Sequence, residues 1–176
     1  MPRNIEIKAR ITSVEQLMPQ AASISDSDPH EILQDDTFFT CAAGRLKLRA
    51  FADGTGVLIF YQRADEQGPK ESFFTTAPTQ SPDALRETLT LAYGQSGRVK
   101  KHRTLFTVGR TRIHLDCVEG LGDFLELEVM LDEGEAAEFG EQEAYATMVK
   151  LGVQQSQLVE TAYVDLLAAK PVAKSI

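Results

Sequence analysis

Cysteine and long apolar runs are both scarce in this 176-residue chain. Its two cysteines, Cys41 and Cys117, lie far apart and neither belongs to a CxxC pair, which argues against a disulfide framework and a zinc knuckle. No apolar run approaches the length of a membrane span, and no signal-peptide core precedes the first predicted strand. We therefore expect reduced thiols, a cytoplasmic location and no membrane partner.

The motifs of several common enzyme classes are missing. There is no GxxxxGK[ST], GxSxG or CxxC segment, which disfavours P-loop, serine-hydrolase and thioredoxin-type chemistry. Positive charge is also in deficit, with 18 Lys and Arg against 26 Asp and Glu and a net charge of −8. Repulsion of a phosphate backbone then argues against a nucleic-acid partner. The basic stretch Arg98–Arg103 has no interleaved aromatic residues, so it indicates a solvated edge or a strand entering a cavity.

The composition that remains is typical of a globular protein. Hydrophobic residues make up 43% and charged residues 25%, while 12 glycines and 7 prolines indicate neither a linker nor low complexity. We find no internal repeat and no interdomain linker. Residues 1–176 are expected to form a single domain.

Alternation of polar and apolar residues predicts mostly strands. Residues 3–11 alternate throughout, and Asp53-Gly54 predicts a hairpin turn because both residues tolerate the positive φ of a tight turn. The predicted strands are 3–11, Thr37–Thr40, Gly44–Ala52, Gly56–Arg63, Lys70–Ala77, Arg98–Val108, Arg110–Val118 and Gly122–Leu131.

Helices are predicted between and after these strands. Ser81–Tyr93 has the clearest signals: Ser81 as N-cap, Pro82 at the first position and Gly94 just past the end. The other predicted helices are residues 12–23, which contain Pro19, then Glu135–Leu151 and Ser156–Ala169. The acidic stretch Asp132–Glu143 is interpreted as a solvated helix face with its leading loop.

Several predicted strands carry an apolar row on one side and a charged row on the other, because alternate side chains of a strand share a side. In GRLKLR, for example, Leu46 and Leu48 oppose a row of arginine and lysine. The charged rows contain Glu6, Lys8, Arg45, Lys47, Arg49, Tyr61, Arg63, Lys101, Arg103, Arg110, Arg112, His114, Asp116, Glu126 and Glu128.

Two interpretations of these rows compete. An antiparallel sheet often has one wet face, so alternation alone proves nothing. Basic residues repeated at every second position repel one another, however, unless an anion neutralises them. If the sheet closes into a barrel with helices outside, the apolar rows face the helices and the charged rows line the lumen. We favour this charged-lumen interpretation.

A lumen with many cations and a few carboxylates suits a polyphosphate with a divalent metal. Guanidinium and ammonium groups bind phosphoryl oxygens, and Mg²⁺ is usually held by one or two carboxylates plus substrate phosphates. The expected cofactor is therefore Mg²⁺ or Mn²⁺, with Glu6, Asp116, Glu126 and Glu128 as ligands. His114 is interpreted as a hydrogen-bonding lumen residue. The aromatic residues Phe38, Phe39, Phe73 and Phe74 are expected in the core rather than in a base-stacking site.

Several segments together resemble the CYTH superfamily, which is named for bacterial class IV adenylyl cyclases and thiamine triphosphatases. They are NIEIK at 4–8, GRLKLR at 44–49, KHR at 101–103, IHLDCVEGLGDFLELEV at 113–129 and YVDLL at 163–167. The resemblance covers nearly the whole chain. It implies an α+β fold, a closed antiparallel eight-stranded β-barrel known as a triphosphate tunnel, with helices packed outside.

The resemblance also implies roles for single residues. Glu6 and Lys8 match the second and third positions of the family's ExExK motif, whose first position is Asn4 here. An uncharged amide weakens magnesium binding, which disfavours a full two-metal arrangement. The catalytic candidates are Lys8, Arg63, Lys101 and Arg103. The substrate-binding candidates are Lys8, Arg45, Lys47, Arg49, Arg63, Lys101, Arg103 and Arg112.

Three functions stay open. A cyclase would convert ATP to cyclic AMP and pyrophosphate, and the match to class IV cyclases gives it a narrow preference. A hydrolase would act on inorganic, nucleoside or thiamine triphosphate, and a non-catalytic polyphosphate or nucleotide binder is the third alternative. The expected partner is a nucleoside triphosphate or inorganic polyphosphate substrate, and a homodimer is left open.

Overall fold

The computed structural model describes residues 2–63 and 68–170 and contains eight strands. These are β1 (Arg3–Arg10), β2 (His30–Phe39), β3 (Arg45–Phe51), β4 (Gly56–Arg63), β5 (Lys70–Thr79), β6 (Gln95–Val108), β7 (Thr111–Val118) and β8 (Gly122–Met130). The described helices are α1 (Val14–Ile24), α2 (Pro82–Tyr93), α3 (Ala137–Lys150) and α4 (Tyr163–Ala168), with a 3-10 turn at Gln155–Gln157.

The strands form one closed antiparallel barrel in the order β1-β5-β4-β3-β2-β6-β7-β8. This confirms the predicted α+β class and the closed eight-stranded barrel. Strands four places apart in such a ring face each other across the lumen. β4 therefore lies opposite β7, and β5 lies opposite β6.

The apolar rows face outward beneath the helices. Ile5, Ile7 and Ala9 of β1 are fully buried in a cluster that α1 and α3 complete. Gly140 lets α3 approach β1 closely, because a Cβ at this position would lie 2.7 Å from Ile5 Cγ1. Because the apolar row of each strand packs against the helices, the polar row on its other face must point into the barrel.

A second, smaller cluster packs α4 against one end of the barrel. Tyr163 and Val164 lie here with Phe38, Val99 and Phe124. The ring of Tyr163 meets that of Phe124 edge-on at a centroid distance of 4.9 Å. α4 thus covers the end at which β6 begins and β8 starts.

Two sequence-based boundaries were wrong. The helix predicted for Ser156–Ala169 is a 3-10 turn, an extended stretch and the short α4. Leu158 bridges to Ala9, and the Val159 amide donates to the Lys8 carbonyl, so strand-like pairing with β1 replaces the helix. The strand predicted at Thr37–Thr40 runs from His30 to Phe39, with polar residues on both faces that hide its alternation.

The remaining elements agree with their predictions to within three residues at either end. Ser81 occupies the N-cap position of α2, with Pro82 following, although the Ser81 side chain makes no capping hydrogen bond. Among the described helices, none is long and apolar enough to cross a bilayer.

Candidate active site

The polar rows enclose a cavity of about 460 Å³ inside the barrel. This volume lies within the range of roughly 300–1,000 Å³ that is usual for small-molecule sites. Among the described residues, eight basic and four acidic side chains line it, so the described interior of an acidic protein carries an excess of positive charge. They are Lys8, Lys47, Arg49, Arg63, Lys70, Lys101, Arg103, Arg112, Glu6, Asp36, Glu126 and Glu128.

Arg103 is the centre of a buried ion-pair network. Its Nε and Nη2 donate to the two carboxylate oxygens of Asp116, each at 2.6 Å, and Nη2 also donates to Glu126 at 2.6 Å. Lys8 Nζ lies 3.1 Å from the other Glu126 oxygen. Burial opposes ionisation of Glu126, but Lys8 and Arg103 outweigh it and hold the pKa of this carboxyl well below its usual range.

Asp116 lies behind Arg103 and outside the cavity lining. It is fully buried, and Tyr163 Oη donates to its Oδ2 at 2.9 Å in addition to the two bonds from Arg103. Burial alone would raise its pKa, yet Arg103 and Lys101 lower it. The structure therefore gives Asp116, a predicted metal ligand, the position of a partner that orients Arg103.

Lys101 has a strongly perturbed ammonium group. Burial, followed by repulsion from Arg103, lowers the pKa of its ammonium group to about 7. Its Nζ lies 5.0 Å from the centre of the Tyr163 ring, and that of Lys8 lies 3.9 Å from it. Burial also lowers the pKa of Lys8. Near neutral pH, Lys101 can thus be present with or without its proton.

Arg63 and Asn4 carry buried polar atoms that lack partners within the described parts of the chain. Arg63 Nη1 donates to Glu6 at 3.0 Å, but its Nε and Nη2 make no hydrogen bond. Asn4 Nδ2 donates to Glu128, while Asn4 Oδ1 makes none. Unsatisfied buried groups are costly, which makes these atoms candidates for contact with a bound ligand.

Glu6 and Glu128 lie opposite each other in the pairing of β1 with β8. Burial, and then the charge of Glu6, raise the pKa of Glu128. A cation placed between two such carboxylates relieves their repulsion. Together with Asn4 Oδ1 they form a hard oxygen donor set that fits Mg²⁺ or Mn²⁺, provided that substrate oxygens and water complete the shell.

Within residues 2–63 and 68–170, no group of three or more His, Cys, Asp or Glu side chains is placed to hold a metal by itself. Glu126, the remaining predicted ligand, has both oxygens in contact with cations. The four predicted metal ligands are therefore divided, with Glu6 and Glu128 on one side and Glu126 and Asp116 in the Arg103 network.

Comparison with known proteins agrees with this architecture. The CYTH domain family model matches residues 2–163. The chain belongs to the CYTH family. It is 25% identical over 169 residues to adenylate cyclase CyaB of Aeromonas hydrophila, covering 90% of this chain and 85% of that protein.

Solved structures show the same fold. The PH1012 protein of Pyrococcus horikoshii superposes with a TM-score of 0.83 at 22% identity, covering 93% of this chain and 98% of that one. HpAC1 of Hippeastrum, described as an adenylyl cyclase candidate with a dominant triphosphatase activity, has a TM-score of 0.65 at 17% identity, covering 96% and 94%.

The cavity contains charged residues that the sequence analysis did not identify. Asp36 is buried and accepts from Lys47 Nζ at 2.9 Å and from both Arg49 Nε and Nη2 at 2.7 Å. Lys70 is buried in the lining, and its Nζ donates to the Glu160 carbonyl at 2.6 Å. Alternation with Ser72 and Phe74 along β5 would have identified Lys70.

Three further residues depart from their predicted positions. Arg45 lies beyond the lining, at the end of the barrel covered by α4, where its Nη2 donates to Asp165 at 2.6 Å. Phe74, which was expected in the core, faces the cavity, and Phe73 belongs to neither packed cluster. Phe38 and Phe39 are buried as predicted.

His114 lines the cavity, as predicted. Its Nδ1 lies 3.9 Å from Glu126, and burial together with Arg103 holds the pKa of the imidazole well below its usual value. His114 is therefore neutral near pH 7 in the free protein.

Proposed function

We propose that this protein is a metal-dependent enzyme that acts on a triphosphate bound in the barrel. The unpaired donors of Arg63 are the observation that carries this proposal, since they lie beside Glu6, whose neighbours are Glu128 and the unpaired oxygen of Asn4. The unpaired Arg63 donors would bind an anion, and the neighbouring oxygens of Glu6, Glu128 and Asn4 would bind a cation. A metal–phosphate complex supplies both.

The first candidate reaction is that of an adenylyl cyclase, which the similarity to CyaB supports. The ribose 3′-oxygen of ATP would form a bond to the α-phosphorus, the bond from that phosphorus to the bridging oxygen would break, and pyrophosphate would leave. Lys8, Arg63 and Arg103 would hold the phosphate oxygens and stabilise the negative charge on the leaving group. Lys101 Nζ, which lies in the lining, would accept the hydroxyl proton in its unprotonated form.

A divalent metal would be held by Glu6, Glu128 and Asn4, and when bound it would supply positive charge to the phosphate oxygens. The basic side chains would bind and align the triphosphate in the same way whether or not it carries a nucleoside. Arg112, which is half exposed and contacts Glu128 at 3.2 Å, would join them at the edge of the cavity. Lys47 and Arg49, aligned by Asp36, would bind further phosphate oxygens.

The second candidate is a triphosphatase, in which water attacks the terminal phosphorus. It is supported by the fold shared with HpAC1, whose dominant activity is of this kind. The cationic lining serves both reactions, because each needs a held polyphosphate and an oxygen nucleophile. They differ in which phosphorus faces that nucleophile.

Product identification distinguishes these reactions. ATP or inorganic triphosphate is incubated with the protein and Mg²⁺ or Mn²⁺, and products are followed by ³¹P NMR. Cyclic AMP with pyrophosphate identifies a cyclase, and inorganic phosphate identifies a hydrolase. Tight binding without turnover would contradict an enzymatic role and leave a polyphosphate binder.

Glu128→Gln tests the proposed metal site in the same assay. We expect its metal-dependent turnover to fall at least tenfold, a loss of about 1.4 kcal/mol of transition-state stabilisation, because the oxygen set loses a charge. Glu119→Gln, at an exposed position beyond β7, removes the same charge and should behave as wild type. Equal turnover in the two variants would show that Glu128 serves only as a partner of Arg112 and Asn4.

A further inference from the structure

The lumen side chains of β4 and β5 are largely uncharged. Val57, Ile59 and Tyr61 of β4 face the cavity, as do Ser72, Phe74 and Thr76 of β5. Within the described parts of these two strands, charge in the lining is confined to Arg63 and Lys70, which lie towards Glu160 and α4. We call the surface formed by Val57, Ile59, Phe74 and Thr76 the apolar wall.

The opposite wall of the barrel carries cations. Lys101 and Arg103 of β6 and Arg112 of β7 line it beside Val99, Leu105 and the uncharged His114, and the strand order places these two strands across the lumen from β4 and β5. The cavity is therefore divided along its length into a cationic side and an apolar side. A ligand that fits both sides must itself have a charged part and an apolar part.

The apolar wall is not part of the packed core. Val57, Ile59 and Phe74 are only half buried, and none of them belongs to either hydrophobic cluster. Their free surface faces the cavity, where inorganic triphosphate could offer only charged oxygens. Phosphate oxygens next to an apolar wall lose hydration and gain no partner, whereas a flat ring would bury the Phe74 face favourably.

We infer that the apolar wall binds the nucleobase of a nucleoside triphosphate, so that this protein selects ATP-like substrates over inorganic triphosphate. This inference rests on the proposed function, since it requires the phosphates to occupy the cationic side. Phe74 is the stacking residue, and Ile59 and Val57 extend the surface on which the ring lies. Stacking of this kind tolerates different bases, because every base has a π face.

The test compares ATP with inorganic triphosphate by isothermal titration, in buffer with a chelator so that neither ligand is turned over. Phe74→Ala should weaken ATP binding about tenfold, as expected for loss of one base–aromatic stack, and change inorganic triphosphate binding less than about twofold. Ile59→Thr keeps a β-branched side chain and should weaken ATP binding about threefold through lost apolar contact. If Phe74→Ala does not fold, the ATP affinity of Ile59→Thr serves as the test of the apolar wall.

Phe73→Ala is the matched control. Phe73 is the neighbouring residue of β5, is similarly half buried and does not line the cavity, so both affinities should match those of wild type. An unchanged ratio of ATP to inorganic triphosphate affinity in Phe74→Ala and Ile59→Thr would overturn the inference while leaving a triphosphate site. Failure of the wild-type protein to bind either ligand would overturn the proposed function as well.

Discussion

Lys101 shows how burial sets the chemistry of a single group in this cavity. Its pKa of about 7 results first from loss of solvent and then from the neighbouring Arg103 guanidinium, with Asp116 and Glu126 acting in the opposite direction. Because the pKa is lowered, the unprotonated amine forms as the pH rises through about 7 rather than near the usual value of 10.5. We propose that this amine is the general base at neutral pH.

Lys101→Arg tests this role through the pH dependence of kcat/KM, which reports groups of the free enzyme. In wild type, kcat/KM should rise with pH and level off above about 7. Arginine keeps the positive charge but cannot give up its proton, so the variant should lose this rise and at least about 100-fold in kcat/KM. Lys100→Arg, on the exposed face of the same strand, should keep the wild-type profile. An unchanged rise in Lys101→Arg would contradict the assignment.

For single residues, the sequence could predict which side chains point into the barrel. It could not predict which of them reach the cavity and which lie behind another side chain. Alternation correctly placed Lys8, Arg63 and Glu128 in the lining. It could not show that Asp116 lies behind Arg103, because the depth of a side chain depends on α4 and Tyr163, which come from a distant part of the chain. The catalytic, substrate and metal roles given to the lining residues stay predictions.

At the scale of elements, α4 and the residues just before it contact several charged side chains of the cavity. The backbone carbonyls of Glu160 and Thr161 accept from Lys70 and Lys8 at 2.6 Å and 3.4 Å. Tyr163 contacts the ammonium groups of Lys8 and Lys101 with its ring and holds Asp116 with its hydroxyl. The position of this short helix therefore affects the geometry of several lumen cations at once.

Gly97→Ala tests that dependence. A Cβ at Gly97 would lie 2.3 Å from Val164 Cγ2, so α4 must move away from β6. We expect a loss of about 1–3 kcal/mol in the free energy of unfolding, together with faster amide hydrogen exchange in residues 163–168.

Val164→Ala in the same chain provides the control, since it removes the clashing methyl. The double variant should recover part of the stability lost in Gly97→Ala, a positive coupling in a double-mutant cycle. Strictly additive losses of stability would show that α4 does not depend on the close approach at Gly97.

The elements themselves were predicted well wherever one face alone is apolar. β2 was predicted too short, because Gln34 and Asp36 face the lumen while Glu31 and Asp35 lie on the other side of the strand, so polarity does not alternate. The helix predicted from Ser156 was wrong, because Leu158 pairs with β1 in an interaction between distant parts of the chain. Local patterns contain no information about such pairing.

At the scale of the whole molecule, charge is segregated. The net charge of −8 coexists with a cavity whose lining, over the residues that the structure describes, has eight basic and four acidic side chains. Buried cations at this density repel one another, and the carboxylates Asp36, Asp116 and Glu126 limit that repulsion in the free protein. A bound triphosphate would neutralise what remains. The predicted single domain, the cytoplasmic location and the state of assembly stay predictions.

Titration calorimetry of inorganic triphosphate in 0.1 M salt, with a chelator present, tests the central claim that the barrel interior is a triphosphate site. Arg63→Met removes two donors that are unpaired within the described part of the chain, whereas Arg98→Met removes the same charge outside the cavity, where Arg98 pairs with Asp35. We expect one binding site in wild type, an affinity loss of about 10- to 100-fold in Arg63→Met, equivalent to about 1.4–2.7 kcal/mol, and no change in Arg98→Met. Absence of binding by the folded wild-type protein, or equal losses in the two variants, would contradict the account.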